Sequence, residues 1–167
     1  MTVPSGDTPL RQTDVFLKAQ DDRGFHSWLA MQNAAMELEF VVSDVPELRG
    51  HLYTREGLVI AEPVLVERYQ NRAEAYSENN FKVTSRFAYF IGETIRRATE
   101  GRWVALPQSK GGALPGVDVE FRSGFFNVNR LVTLTLIERT GTELTMVFDY
   151  AVEDYDKWVE AGRPPRV

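Results

Sequence analysis

Cysteine is absent from the chain, which excludes disulfides, thiolate catalysis, zinc–thiolate sites and iron–sulfur clusters. Histidine is almost as scarce. His26 and His51 are the only two, and neither has the HExxH spacing of a zinc site or an identifiable partner to make it a catalytic base. Both read as surface or capping residues. No stretch approaches the roughly 18 apolar residues of a membrane span. Walker-type loops, GxSxG and GxGxxG are also missing. Lys110-Gly111-Gly112 is a glycine-bearing loop without P-loop spacing. The first seven residues carry neither a base nor an apolar run, so they are not expected to act as a secretory signal. The expectation is a cytoplasmic protein with no cofactor, no metal and no catalytic constellation.

What is present points to one folded unit. The chain has 167 residues, 43% of them hydrophobic, including ten Phe, six Tyr and three Trp. That is enough apolar area to offset chain entropy in a single domain. The expected organisation is a flexible segment at 1–10, a globular domain at 11–161 and a flexible tail at 162–167. A formal net charge of −5 argues against nucleic acid as a partner, because phosphate recognition needs a cationic face.

Hydrophobic periodicity predicts a predominantly helical α+β domain with a small β-hairpin. Thr8-Pro9 can open a first helix ending at Gly24. Ser27 can cap a helix to about Val42, with Trp28, Met31, Ala35, Leu38 and Val42 on one stripe and Leu29, Met36 and Phe40 on another. Two stripes predict packing on two sides. A long helix is expected over about 54–76, with Pro63 either kinking it or opening it near Glu62. A further helix from Asn79 or Asn80 ends at Gly101, with Phe87, Ile91, Ile95 and Ala98 inward. Gly92 and Ser85 leave a flank where another backbone can approach. Strands are expected at 102–106 and 117–121. The segment 128–139 suits either a strand, by alternation, or a helix, by its bracketing Asn127 and Gly141. The clearest helix is 143–161, where Thr140 and Glu143 have capping-box spacing.

The run Phe87-Ala88-Tyr89-Phe90-Ile91-Gly92-Glu93-Thr94-Ile95-Arg96-Arg97, followed by Gly101-Arg102-Trp103, resembles a signature of small uncharacterised actinobacterial proteins. In them a Tyr, a Gly-Glu pair and two arginines precede G-x-W. As here at Leu58, Ala61 and Glu62, a Leu-rich helix with an Ala-Glu pair comes before it. The resemblance covers residues 54–106, about a third of the chain. It implies a shared domain and no catalytic role. Some similar small acidic proteins are suspected immunity partners of secreted toxins.

Two constellations stand out. Glu93 lies within a turn of Arg96, Arg97 and Tyr89. The residues suit an exposed ion-pair ladder, a tie from helix to strand near Trp103, or a site for an anionic ligand. Glu62 falls on an apolar face and must be paired or protonated there, with Arg72, Arg96, Arg97 and Arg102 as candidate partners. The second constellation is acidic. Residues 143–160 hold six acids against Lys157, and Asp149, Glu153, Asp156 and Glu160 make one stripe. That local charge equals the net charge of the whole chain. The leading expectation is therefore a non-enzymatic protein-binding module. It would be an immunity-type or regulatory partner, docking a basic protein such as a toxin through this stripe. The alternatives are a small-molecule or anion site built on Glu62, Glu93, Arg96, Arg97 and Trp103, or a structural, oligomerising domain.

Overall fold

The computed structural model describes residues 9–166. The expectations for residues 1–8, including a cap at Thr8, lie outside the described residues, as does Val167. Among the described residues the elements run α1 (Asp14–Ala19), α2 (Arg23–Ala35), α3 (Arg55–Arg68), α4 (Arg72–Ala75), α5 (Phe81–Ala98), β1 (Arg102–Leu106), β2 (Leu114–Asp118), β3 (Phe126–Asn127), α6 (Val128–Glu138) and α7 (Glu143–Glu160). The fold is predominantly helical α+β with one small antiparallel sheet, ordered β1-β2-β3.

The organising element is α5, which is buried on nearly all sides from Thr84 to Ile95. Phe87, Phe90 and Ile91 enter a core with Phe40, Leu58, Leu65 and Val132. Its polar face is buried as well: Arg86 and Glu93 are 5% and 4% exposed. Burial on this scale requires partners for each charge. Arg86 finds them in Asp44, at 2.6 Å, and Glu39.

The helix from α2 onward departs from the expected register. Asp22 caps α2 by accepting from the Phe25 amide at 2.7 Å, so Ser27 lies inside the helix rather than at its start. Residues Met36–Asp44 then widen into a π-helix. A π-helix turns more slowly per residue than an α-helix, and the predicted stripe slips out of alignment. Met36 and Phe40 of the second stripe are buried as expected, and Val41 with them, whereas Leu38 and Val42 of the first are 72% and 50% exposed; Met31, 62% exposed, already faces solvent in α2.

Thr54 caps α3 as expected, accepting from the Gly57 amide at 3.0 Å, and the helix runs through an exposed Pro63. It stops at Arg68, short of 76, because Tyr69 turns extended and buries its ring. α5 ends at Ala98, and the left-handed residue is Glu100 rather than Gly101. Gly101 is glycine for another reason: a Cβ there would lie 2.9 Å from Val117 and 3.1 Å from the Asp118 carbonyl.

The expected hairpin forms, with Trp103 opposite Val117 and Leu106 opposite Leu114. β2 lies three residues earlier than the alternation implies. Pro115 is tolerated in it because β3 pairs only with Gly116 and Val117. The ambiguous 128–139 segment is helix. Asn127 caps it through the Arg130 amide at 3.1 Å, and Val128, Val132, Thr135 and Leu136 form its buried face. With α7 it makes an αα-hairpin.

Candidate functional site

Gly92, Glu93, Arg96, Arg97 and Trp103 do come together. The Glu93 carboxylate accepts from Arg96 at 2.7 and 2.8 Å, from Arg97 at 2.9 Å and from the Trp103 indole at 2.8 Å. Burial pushes the carboxyl up, but hydrogen bonds from Arg96, Arg97 and Trp103 outweigh it and bring it down to about 2. Tyr89 stacks on Trp103 with ring centroids 5.3 Å apart, and Trp28 meets both rings edge-on. Burial, aided by the charge of Glu93, pushes the Tyr89 hydroxyl up to about 12. What approaches Gly92 is the Trp103 indole and the Val128 side chain, not a backbone: a Cβ there would fall 2.2 Å from the ring. The tie from helix to strand is thus the geometry observed, and both Glu93 oxygens are occupied.

Glu62 lies apart from this cluster and pairs with none of the arginines proposed for it. Fully buried, it accepts from the amides of Glu143 at 2.9 Å and Leu144 at 2.6 Å. Its carboxylate supplies the N-terminal cap of α7 from another helix, which satisfies two otherwise orphaned donors and the positive end of the helix dipole. Thr140 bonds the Glu143 side chain rather than closing a capping box.

The acidic stripe of α7 is exposed along its length. Asp149 pairs with Arg55 at 2.7 Å, and Glu153 with Lys157 at 2.7 Å. Among the described residues Asp156 and Glu160 have no ion-pair partner. A constellation with no obvious sequence signal centres on Asp118, which is 2% exposed and held by Arg11, Arg102 and Arg166 at 2.7, 2.9 and 3.0 Å. Of the histidines, His26 is exposed with a ring nitrogen 2.6 Å from the Gln20 carbonyl, and His51 is exposed.

A further concavity lies away from Glu62, from the Glu93 cluster and from the acidic stripe. A cleft of about 540 Å³ opens where the starts of α2, α5 and α6 meet the β1–β2 connection. Phe25, Trp28, Phe81, Leu114 and Pro115 supply apolar wall. The 108–113 segment, which contains the two-glycine loop, contributes Gln108, Gly112 and Ala113 to the rim. Polar groups come from Asp22, Arg72, Tyr76, Ser85, Asn129 and Arg130. Several of these are already engaged. Asp22 caps α2. The Tyr76 hydroxyl, raised by burial, donates to Asn129 at 2.9 Å. Arg72 sits over the Tyr76 ring at 5.1 Å. Ser85, a residue 5% exposed, adds a hydroxyl to the wall. The sequence signal for this cleft was punctuation alone, an Asn or Asp at the start of each helix.

Neither protein-family models, nor curated proteins, nor solved structures match this chain.

Proposed function

We propose that this chain is a small-molecule-binding domain whose ligand occupies the cleft between the starts of α2, α5 and α6. The observation that carries this reading is the cleft itself. Its volume of about 540 Å³ lies in the range of small-molecule pockets, which combine a mostly apolar wall with a few placed polar groups. The reading is one of binding rather than turnover: the carboxylate on the wall, Asp22, is committed to a helix cap. The test is a nuclear-magnetic-resonance titration with a mixed library of neutral and charged aromatic fragments. Shifts concentrated at the amides of Gly24, Ser85, Ala113 and Asn129 are expected. If no fragment moves these amides at millimolar concentration, the reading fails.

A second reading is favoured by Asp156 and Glu160, exposed acids without an ion-pair partner among the described residues. In it α7 is the docking strip of an immunity-type or regulatory module for a basic protein, with long-range attraction speeding encounter. Reversing Asp156 and Glu160 to lysine should weaken capture of such a partner. Reversing Asp149, which Arg55 already neutralises, should matter less. A partner that binds the double reversal undiminished rules this reading out.

A further inference from the structure

The charge around the cleft is opposite in sign to that of the molecule. The chain carries −5, whereas the charged residues on the cleft wall are Asp22, Arg72 and Arg130. Asp22 is the one acid among them, and it is turned to the Phe25 amide. Three helices of eleven residues or more begin at this wall. Each adds the partial positive charge of its N-terminus. Asn80 gives α5 no side-chain cap. A helix start alone does not make a site, but two guanidiniums beside an aromatic wall are independent of the helix starts. Ser85, a residue 5% exposed, adds a hydroxyl to the same wall. Beside these donors lie flat apolar surfaces from Trp28, Phe25 and Phe81, the last 51% exposed.

From this juxtaposition we infer that the cleft selects an amphipathic anion: a small molecule with a flat aromatic body and one carboxylate or phosphate group. The anion lies toward Arg72, Arg130 and the Ser85 hydroxyl, and the ring lies against the aromatic wall. This inference rests on reading the cleft as a ligand site. Guanidinium groups suit either anion, since their fork of donors matches two oxygens at once. The apolar wall accounts for the ring, because a bare inorganic anion would leave those surfaces wet.

The test uses the full chain and four naphthalene probes of equal ring size in isothermal titration: 2-naphthoate, 2-naphthyl phosphate, neutral 2-naphthamide and cationic (2-naphthylmethyl)trimethylammonium. At least one anion should bind about tenfold tighter than the amide, as expected of one charge-assisted hydrogen bond. The tighter of the two anions identifies the head group. Raising salt from low to moderate concentration should weaken the anion and leave the amide unchanged. Arg72→Gln with Arg130→Gln should remove the preference while naphthamide still binds. That retained binding also shows the variant is folded. Equal affinity for anion and amide overturns the anion assignment and leaves the cleft reading intact. Tighter binding of the cation overturns the assignment as well, in favour of Asp22 and the aromatic rings. If no probe binds, the assignment and the cleft reading fall together.

Discussion

At the scale of single residues, the cluster around Glu93 shows how one buried carboxylate fixes its neighbours. Trp103→Phe keeps most of the stacking on Tyr89 and deletes the indole donor to Glu93. A loss of about 1–2 kcal/mol in urea denaturation is expected, the usual worth of a hydrogen bond to a charged group. Gly92→Ala separates two opposing effects. Alanine normally stabilises a helix interior by about 1 kcal/mol relative to glycine. Here its Cβ would meet the Trp103 ring at 2.2 Å and Val128 at 2.7 Å. Neither is the free end of a flexible side chain, so overpacking wins and a net loss of about 2 kcal/mol is expected. Acid titrates the same cluster. Folding lowers the Glu93 carboxyl from 4.5 to about 2, so the folded state binds this proton less readily than the unfolded chain. Its contribution is complete above about pH 4.5 and is lost as pH falls toward 2. Glu93→Gln should flatten the pH dependence of stability in that window. An unchanged slope between pH 5 and 2.5 would show that other groups dominate it.

At the scale of elements, α3 and the α6–α7 hairpin secure one another by their ends. Glu62 of α3 caps the start of α7. In the other direction Arg139, left-handed at the end of α6, donates to the carbonyls of Val66 at 2.6 Å, Tyr69 at 2.9 Å and Gln70 at 3.0 Å. Each lock pairs a charge with the helix end of opposite sign. Glu62→Gln retains an acceptor but loses the charge and turns an amide donor toward two N–H groups. We expect a loss of about 2–3 kcal/mol and faster hydrogen exchange at Glu143 and Leu144 than elsewhere in α7. Uniform acceleration along the whole helix would contradict the local cap. Neither lock is legible in the sequence, because Glu62 and its amides lie 81 and 82 positions apart. Local signals fared better. Thr54 caps α3 where the sequence places it, α7 spans the residues its periodicity implies, and Asn127 resolves an open choice in favour of helix. Across Met36–Asp44 a π-helix changes the period itself: Met36 and Phe40 of one expected stripe are buried, whereas Leu38 and Val42 of the other are exposed. The cleft illustrates the same boundary: the start of α5 near Asn80 is visible in sequence, but α2 begins at Asp22 rather than Ser27, and the convergence of the helix starts depends on tertiary packing.

At the scale of the whole molecule, the ends of the described chain meet at one buried carboxylate. Asp118 closes β2 and accepts from Arg11 ahead of α1, from Arg102 at the start of β1 and from Arg166 after α7. Residues 163–166 are further held by Arg163 on Glu100 and by the Trp158 indole on the Pro164 carbonyl. Burying one carboxylate among three guanidiniums is favourable only while all keep their geometry, since a charge left alone in the interior is costly. Asp118→Asn would leave three cations competing for one neutral acceptor. We expect a stability loss of about 2–4 kcal/mol. The loss should be accompanied by release of both ends, seen as faster proteolysis and hydrogen exchange at 9–13 and 163–166 with the α5 core still protected. A surface-type effect, under about 0.5 kcal/mol with both ends still protected, would mean that the three arginines are held by their other contacts. Arg102→Gln is the internal control. Its side chain is 64% exposed against 13% for Arg11 and 18% for Arg166. It should therefore cost least, because water screens the exposed partner and the buried carboxylate keeps two of its three donors.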